Sequence, residues 1–183
     1  KTVTFDIGTK QKFAWGYDVR YEGHSLILEI RHAPEGFSAR RGGMKGLTIA
    51  LDAGHSKNSF GTIGPLGNTE ASVNLMLAKV VKEEFEKKGA KVVMIQDRTR
   101  ELSLDDRVKM AWEKRAHIFI SLHADATGEG KNPREEEGFS VHYFHPQSRP
   151  LAEEIHALYA QRMGVRDRGV WRSNLAVCRM TQM

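Results

Sequence analysis

Leu47-Thr48-Ile49-Ala50-Leu51-Asp52-Ala53-Gly54-His55 is a short apolar run that stops at an acid, two small residues and a histidine. Such a run reads as a buried strand that delivers polar groups to its carboxyl end, where open α/β sheets place their binding sites. A histidine in that position is either a surface or capping residue or a ligand. Ile118-Phe119-Ile120-Ser121-Leu122-His123-Ala124-Asp125 ends in the same way. Two strands of one sheet with these endings bring His55 and His123 to one edge.

Downstream of His55, a polar loop from Ser56 to Asn68 carries Gly61, Gly64, Pro65 and Gly67. Loops of that length at a strand's carboxyl end are usually functional. Thr69 caps a helix that starts at Glu70, with Val73, Leu77, Val80, Val81 and Phe85 at helical spacing and Gly89 as the stop. Val92-Val93-Met94-Ile95 is the next strand. Ser103-Leu104-Asp105-Asp106 resembles a capping signature, and Leu104, Val108, Ala111 and Trp112 form the inward face of the helix that follows. After His123 a polar insertion, Thr127 to Glu137, leads to a strand over Phe139 to Phe144. A third helix starts at Gln147 or Ser148, turns Leu151, Ile155, Leu158 and Tyr159 inward and ends near Gly164, and Asn174 to Cys178 reads as a last strand.

Alternating strands and helices of this spacing predict an α/β fold, a mixed and mostly parallel sheet flanked by helices, preceded by a short β segment. The expected division is a β segment over residues 1–33, a linker over 34–46 and a catalytic domain over 47–183. In the first part, Thr2 to Phe5, Phe13 to Tyr17 and Leu26 to Ile30 read as strands, too few to stand alone and suited to the tail of an N-terminal β domain. The linker is rich in glycine and holds the densest basic run, Arg40-Arg41-Gly42-Gly43-Met44-Lys45.

A chain of 183 residues can bury one core of ordinary size. It has no apolar stretch long enough to span a membrane. Lys1 stands first and no apolar leader follows, as expected of a chain processed or cut from a longer one. One cysteine, Cys178, excludes an internal disulfide and a cysteine-rich zinc site. The net charge of +5 favours an anionic partner, which for this composition is nucleic acid, a membrane surface or an acidic wall polymer.

A catalytic zinc site takes three protein ligands from His and Asp or Glu and keeps a position open for water. Glu70 is the carboxylate nearest to hand, because the loop from His55 returns to it. Its other reading is an acid placed favourably at a helix N-terminus. Asp52 and Asp125 either orient ligand imidazoles or form turns. Arg100 and Arg107 make structural ion pairs or meet substrate carboxylates.

Asp52-Ala-Gly-His55, Glu70-Ala-Ser-Val-Asn74, Asp97-Arg-Thr-Arg100 leading to Leu104-x-x-Arg107, and Ser121-Leu-His123-Ala-Asp125 resemble, in order and spacing, the type 3 family of zinc-dependent N-acetylmuramoyl-L-alanine amidases. The resemblance runs from about Leu47 to Met183. It implies that His55, Glu70 and His123 hold Zn2+ with a bound water. The implied substrate is the amide between the lactyl group of N-acetylmuramic acid and L-alanine in peptidoglycan, and the implied location is the bacterial envelope, periplasmic or secreted. It also implies that residues 1–33 correspond to the end of a β domain that targets such enzymes to the envelope. The family's general-base glutamate is expected after Met183, so the resemblance assigns no catalytic acid within this chain and implies weak or absent turnover for it. The short stretch from Ala126 to Glu137, with Gly128, Gly130 and Pro133, is expected to leave the cleft open. Other readings are a non-catalytic peptidoglycan-binding module and a zinc carboxypeptidase acting on wall peptides. A nucleic-acid partner is not expected, and steep salt dependence with duplex would mark one.

Overall fold

In a computed structural model that describes residues 2–11, 14–37, 42–126, 132 and 137–183, short strands alternate with helices. The order is β1 (Tyr17–Glu22), β2 (Ser25–Ile30), β3 (Thr48–Ala53), α1 (Glu70–Lys87), β4 (Lys91–Met94), α2 (Leu104–Glu113), β5 (Ile118–Leu122), β6 (Phe139–Tyr143), α3 (Arg149–Arg162), β7 (Asp167–Arg172) and α4 (Ala176–Thr181). A one-turn 3-10 helix, Pro146–Ser148, precedes α3. Strands β1 and β2 form an antiparallel hairpin. Parallel sheets, β4-β3-β5 and β6-β7, lie behind it in sequence, flanked by helices.

The opening stretch is the centre of the first of these sheets. Ile49, Ala50, Leu51, Asp52 and Ala53 are each no more than 2% exposed, as a strand covered on both faces requires. Leu51 and Ala53 pack with Ala78 of α1 on one side. Ala50 packs with Ala111 of α2, Ile95 and Ala116 on the other. Full burial of a side chain such as Leu51 contributes about 1.5–3 kcal/mol. Register pairs Asp52 with Ser121 and Ala53 with Leu122, so the two strands end level.

Thr69 caps α1 by accepting from the Ser72 N–H, and Ser103 and Asp106 close a reciprocal capping box on α2, as expected. Helix faces match the expected ones in part: Val81 and Phe85 of α1 pack on the core and Val108 and Ala111 of α2 are buried, while other expected positions face outward. On α1 the buried residues are Glu70, Ala71, Asn74 and Ala78, while Val73, Leu77 and Val80 are exposed. Small residues let α1 lie close to β3, and the polar pair Glu70 and Asn74 is carried inward with them. In α2 the inward face holds Arg107, Val108 and Ala111, and Leu104 is exposed. Ala152 is the buried residue of α3, with Leu151, Leu158 and Tyr159 exposed.

Three strand assignments are corrected. Asn174 to Cys178 is not a strand: its second half opens α4, and the strand is Asp167–Arg172, whose Gly169 at φ 89° masked the alternation. Thr2 to Phe5 carries no strand, and Val3 and Phe5 stay exposed. β1 starts at Tyr17, where the expected strand ends. Phe13, residues 38–41 of the linker with Arg40 and Arg41, and residues 127–131 and 133–136 of the polar insertion lie outside the described residues. The hairpin is tied to the core by Tyr17 N–H donating to the Gln182 carbonyl at 3.2 Å and by Arg31, whose guanidinium stacks 3.7 Å from the Trp112 ring centroid.

Candidate metal centre

β3 and β5 end side by side, and the residue after each apolar run is committed by backbone bonding. Gly54 N–H donates to the Leu122 carbonyl at 2.8 Å, which carries the ladder one residue past β3. A side chain at Gly54 would meet the His123 ring at 2.5 Å, so only glycine lets that imidazole lie across the strand end. His55 then turns at φ 71°, a conformation that costs a non-glycine residue roughly 1–3 kcal/mol and persists only where its surroundings impose it. Arg107 supplies the constraint: its Nη2 donates to the His55 carbonyl at 2.6 Å.

Glu70 reaches the two imidazoles from the first turn of α1. Its Oε2 lies 2.9 Å from His55 Nε2 and its Oε1 lies 3.1 Å from His123 Nδ1. Main-chain N–H groups of Thr62 and Ala124 donate to the same carboxylate at 3.2 Å and 3.0 Å. Asn74, buried one turn along α1, completes the set at 3.4 Å. Burial works against the charge of Glu70, but the Thr62 and Ala124 N–H groups and the His55 ring outweigh it and hold the carboxyl below its usual range. Gly61, at φ 68°, passes so close that a side chain there would stand 2.6 Å from both Glu70 and His55.

Ligand atoms of His55, Glu70 and His123 all lie within 4.8 Å of one another, and these three residues form a candidate metal site. Two imidazoles and a carboxylate on a concave strand edge are the donor set that suits a catalytic zinc ion with an open position. Glu70 is thereby both the first-turn acid of α1 and the carboxylate of the triad.

Beside the triad lies a cleft of about 320 Å³, whose walls include Ser56, Ser59, Glu101, Ser103 and Val177. Of the residues singled out in the sequence, Asp52 meets neither imidazole. It accepts from Arg107 Nη1 at 3.1 and 3.2 Å and from Ser121 Oγ at 2.9 Å. Burial pushes its carboxyl up against the pull of Arg107 and Ser121. Asp125 pairs with Arg168 at 2.8 Å on the exposed side of β7. Neither carboxylate therefore orients a ligand ring by direct hydrogen bonding; Arg107 pairs with Asp52, reaches His55 through its carbonyl and also lines the cleft. Arg100 is exposed and donates to Met110 Sδ at 3.1 Å.

Glu101 was not foreseen. Its carboxylate accepts from Ser56 Oγ and from the Asn58 N–H, fixing the turn that follows His55. The signal for it was topological: Glu101 follows the strand beside β3, so its loop opens on the same edge. Among the remaining histidines, His156 bonds Asp167 at 2.6 Å and packs on Phe139 at 5.4 Å, which joins α3 to β6 and β7.

A family model described as N-acetylmuramoyl-L-alanine amidase matches residues 49–183. The chain belongs to that family. Amidase relatives include the N-acetylmuramoyl-L-alanine amidase LytC of Bacillus subtilis, 34% identical over 75% of this chain, and the probable cell wall amidase LytH of Staphylococcus epidermidis, 30% identical over 76%. The chain spans only 28% of the first and 46% of the second. Among solved amidases, the catalytic domain of CwlV from Bacillus (Paenibacillus) polymyxa var. colistinus matches with a TM-score of 0.68 and 29% identity over 75% of each chain. An N-acetylmuramoyl-L-alanine amidase from Clostridium difficile 630 matches with a TM-score of 0.69 and 28% identity over the same shares. No helix among the described residues of this amidase-family chain is long and apolar enough to cross a membrane.

Proposed function

We propose that this chain binds one zinc ion through His55, Glu70 and His123 and acts on the amide between N-acetylmuramic acid and L-alanine in peptidoglycan, within the bacterial envelope. The observation that carries the reading is the convergence of the three donors from β3, α1 and β5. When bound there, zinc supplies a water of pKa near about 7 and an electrophile for the amide carbonyl. His55 and His123 offer ring nitrogens, and Glu70 offers a carboxylate that its N–H donors favour in the charged form. Arg107 and Asp52 keep His55 in its turned backbone, and the cleft beside the triad offers room for the substrate next to the scissile amide.

Hydrolysis also needs a group to take the water's proton and return it to the leaving nitrogen, a transfer worth roughly 100- to 10,000-fold. The two other carboxylates that line the cleft are engaged, Asp52 by Arg107 and Ser121 and Glu101 by Ser56 and Asn58. On this reading the chain holds zinc, and with no free carboxylate among the described residues of the cleft its turnover is slow. Zinc content is read by elemental analysis, and release of L-alanine-linked peptide from purified wall is followed by mass spectrometry. Zinc bound without any muramoyl–alanine cleavage on long incubation favours a wall-binding module. Cleavage at a peptide C-terminus identifies a carboxypeptidase instead.

A further inference from the structure

Two residues past His123, the chain borders a second depression, of about 400 Å³, that the metal site does not use. Asp125, Ser140, His142, Arg168, Trp171 and Ser173 line it. Its floor is one face of the β6-β7 pair, where His142 and Trp171 are cross-strand partners. Trp171 is 56% exposed, an unusual position for an indole unless its face has a use. The ring is also held in place. Its Nε1–H donates to the Arg168 carbonyl at 2.6 Å, and it lies over Gly169, where an added side chain would stand 3.6 Å from that nitrogen. Gly169 at φ 89° makes the bend that brings the carbonyl to the indole. One face of the indole thus rests on the main chain, and the opposite face is open.

The polar groups around the ring are short and mostly uncharged. His142 bridges Ser140 and Ser173, at 3.0 Å and 2.8 Å, through its two nitrogens. Arg168 is the one cation among the described residues of this lining, and it is paired with Asp125. A flat aromatic platform ringed by hydroxyl and imidazole groups suits a pyranose ring: the ring's C–H face lies on the indole, and its hydroxyl and acetamido groups exchange hydrogen bonds with the rim. A row of cations tracking a phosphate backbone, which a nucleic acid requires, is missing from the described lining. The volume falls in the range of small-ligand sites, roughly 300–1,000 Å³.

We propose that Trp171, with Ser140, His142 and Ser173, forms a subsite for an N-acetylated amino-sugar ring of the peptidoglycan glycan strand, next to the metal centre. This deepens the amidase reading and rests on it for the identity of the polymer. The subsite holds the sugar side of the substrate, so that affinity for glycan is independent of the peptide and of the metal.

The test is calorimetric titration of the zinc-free full chain with peptide-free glycan strands and, separately, with the free stem peptide. Glycan is expected to bind and the peptide is not. Trp171→Ala should weaken glycan binding about tenfold or more, as loss of an aromatic anchor does, while Trp171→Phe retains most of it. His123→Ala should bind glycan as the parent does but, unlike the parent, fail to take up added zinc, so a failed metal reading and a failed subsite give different results. Equal affinity in the Trp171→Ala variant, with its circular dichroism unchanged, overturns the proposal. Absence of glycan binding by the parent chain, or displacement of glycan by oligothymidylate, also overturns it.

Discussion

The strand ends at β3 and β5 and the face of β6-β7, which the chain reaches at His123 and at Asp125 two residues on, are built in different ways. At the first, the rings themselves reach the surface, His123 with 49% of its side chain exposed, but the groups that hold them are buried: Asp52 is fully enclosed, and Glu70, Asn74 and Arg107 are 7% exposed or less. Each makes bonds to main chain or to another buried group, so the ring positions are set before any ligand arrives. On the second, Trp171 is more than half exposed and its neighbours are hydroxyl groups and an imidazole at the surface. A metal ion demands donors held to fractions of an ångström, which only a dry, bonded shell supplies. A sugar ring tolerates slack, because stacking and exchangeable hydrogen bonds fall off gently with position. Burial of the supporting groups, rather than of the rings that face the ligand, therefore separates the two surfaces.

The sharpest way to break this contrast is at the triad. Glu70→Ala should reduce bound zinc from about one ion per chain to almost none, read by elemental analysis after gel filtration. Retention of stoichiometric zinc would remove the metal centre. Next comes the buried shell. Arg107→Ala leaves Asp52 buried without its counter-charge and frees the His55 carbonyl, so unfolding free energy should fall by about 3–5 kcal/mol in denaturant titration. Arg107→Lys should recover little, because a single ammonium cannot reach Asp52 and the His55 carbonyl as the fork does. A loss under about 1 kcal/mol would mean that the His55 turn holds itself.

Smaller effects lie away from both surfaces. Ser103→Ala removes the side-chain half of the α2 capping box and should cost about 1 kcal/mol by thermal unfolding. His117 provides the pH test. Burial and the nearby Arg31 charge hold it below its usual value, and its Nδ1 accepts from the Thr48 N–H at 2.9 Å. The unfolded chain then binds a proton that the folded one refuses. Its contribution is present above about pH 6.5 and is lost as pH falls through the lowered folded value. Stability measured between pH 7 and pH 5 should slope downward toward acid, and His117→Asn should flatten that slope.

Much of the candidate site was legible because its residues terminate strongly marked elements. Asp52-Ala-Gly-His55 and Ser121-Leu-His123 each follow a run of apolar residues, and Thr69 announces the helix on which Glu70 sits. Residues that act through the third dimension were read less well. Arg107 appeared as an ambiguous cation, and only its contact with the His55 carbonyl, far away in sequence, shows why it is buried. Glu101 belongs to no motif and gains its role from where its loop lands. Parts of the helix faces were misjudged for a similar reason, although Val81, Phe85, Val108 and Ala111 turn inward as expected. Periodicity placed Val73, Leu77 and Val80 inward, whereas close packing on β3 selected the small face with Ala71 and Ala78.

The stretch from Leu47 to His55 shows where the division falls. By itself the sequence determined that this segment is a buried strand ending in a turn, because local apolar patterning and two small residues suffice for that. It also determined the donor types, since side-chain chemistry is written residue by residue. Only the tertiary structure decided that His55 turns at positive φ, that Glu70 bridges both imidazoles and that Arg107 holds the turn. Those outcomes depend on contacts between segments distant in the chain, and their energies exist only once β3, α1, α2 and β5 have packed together.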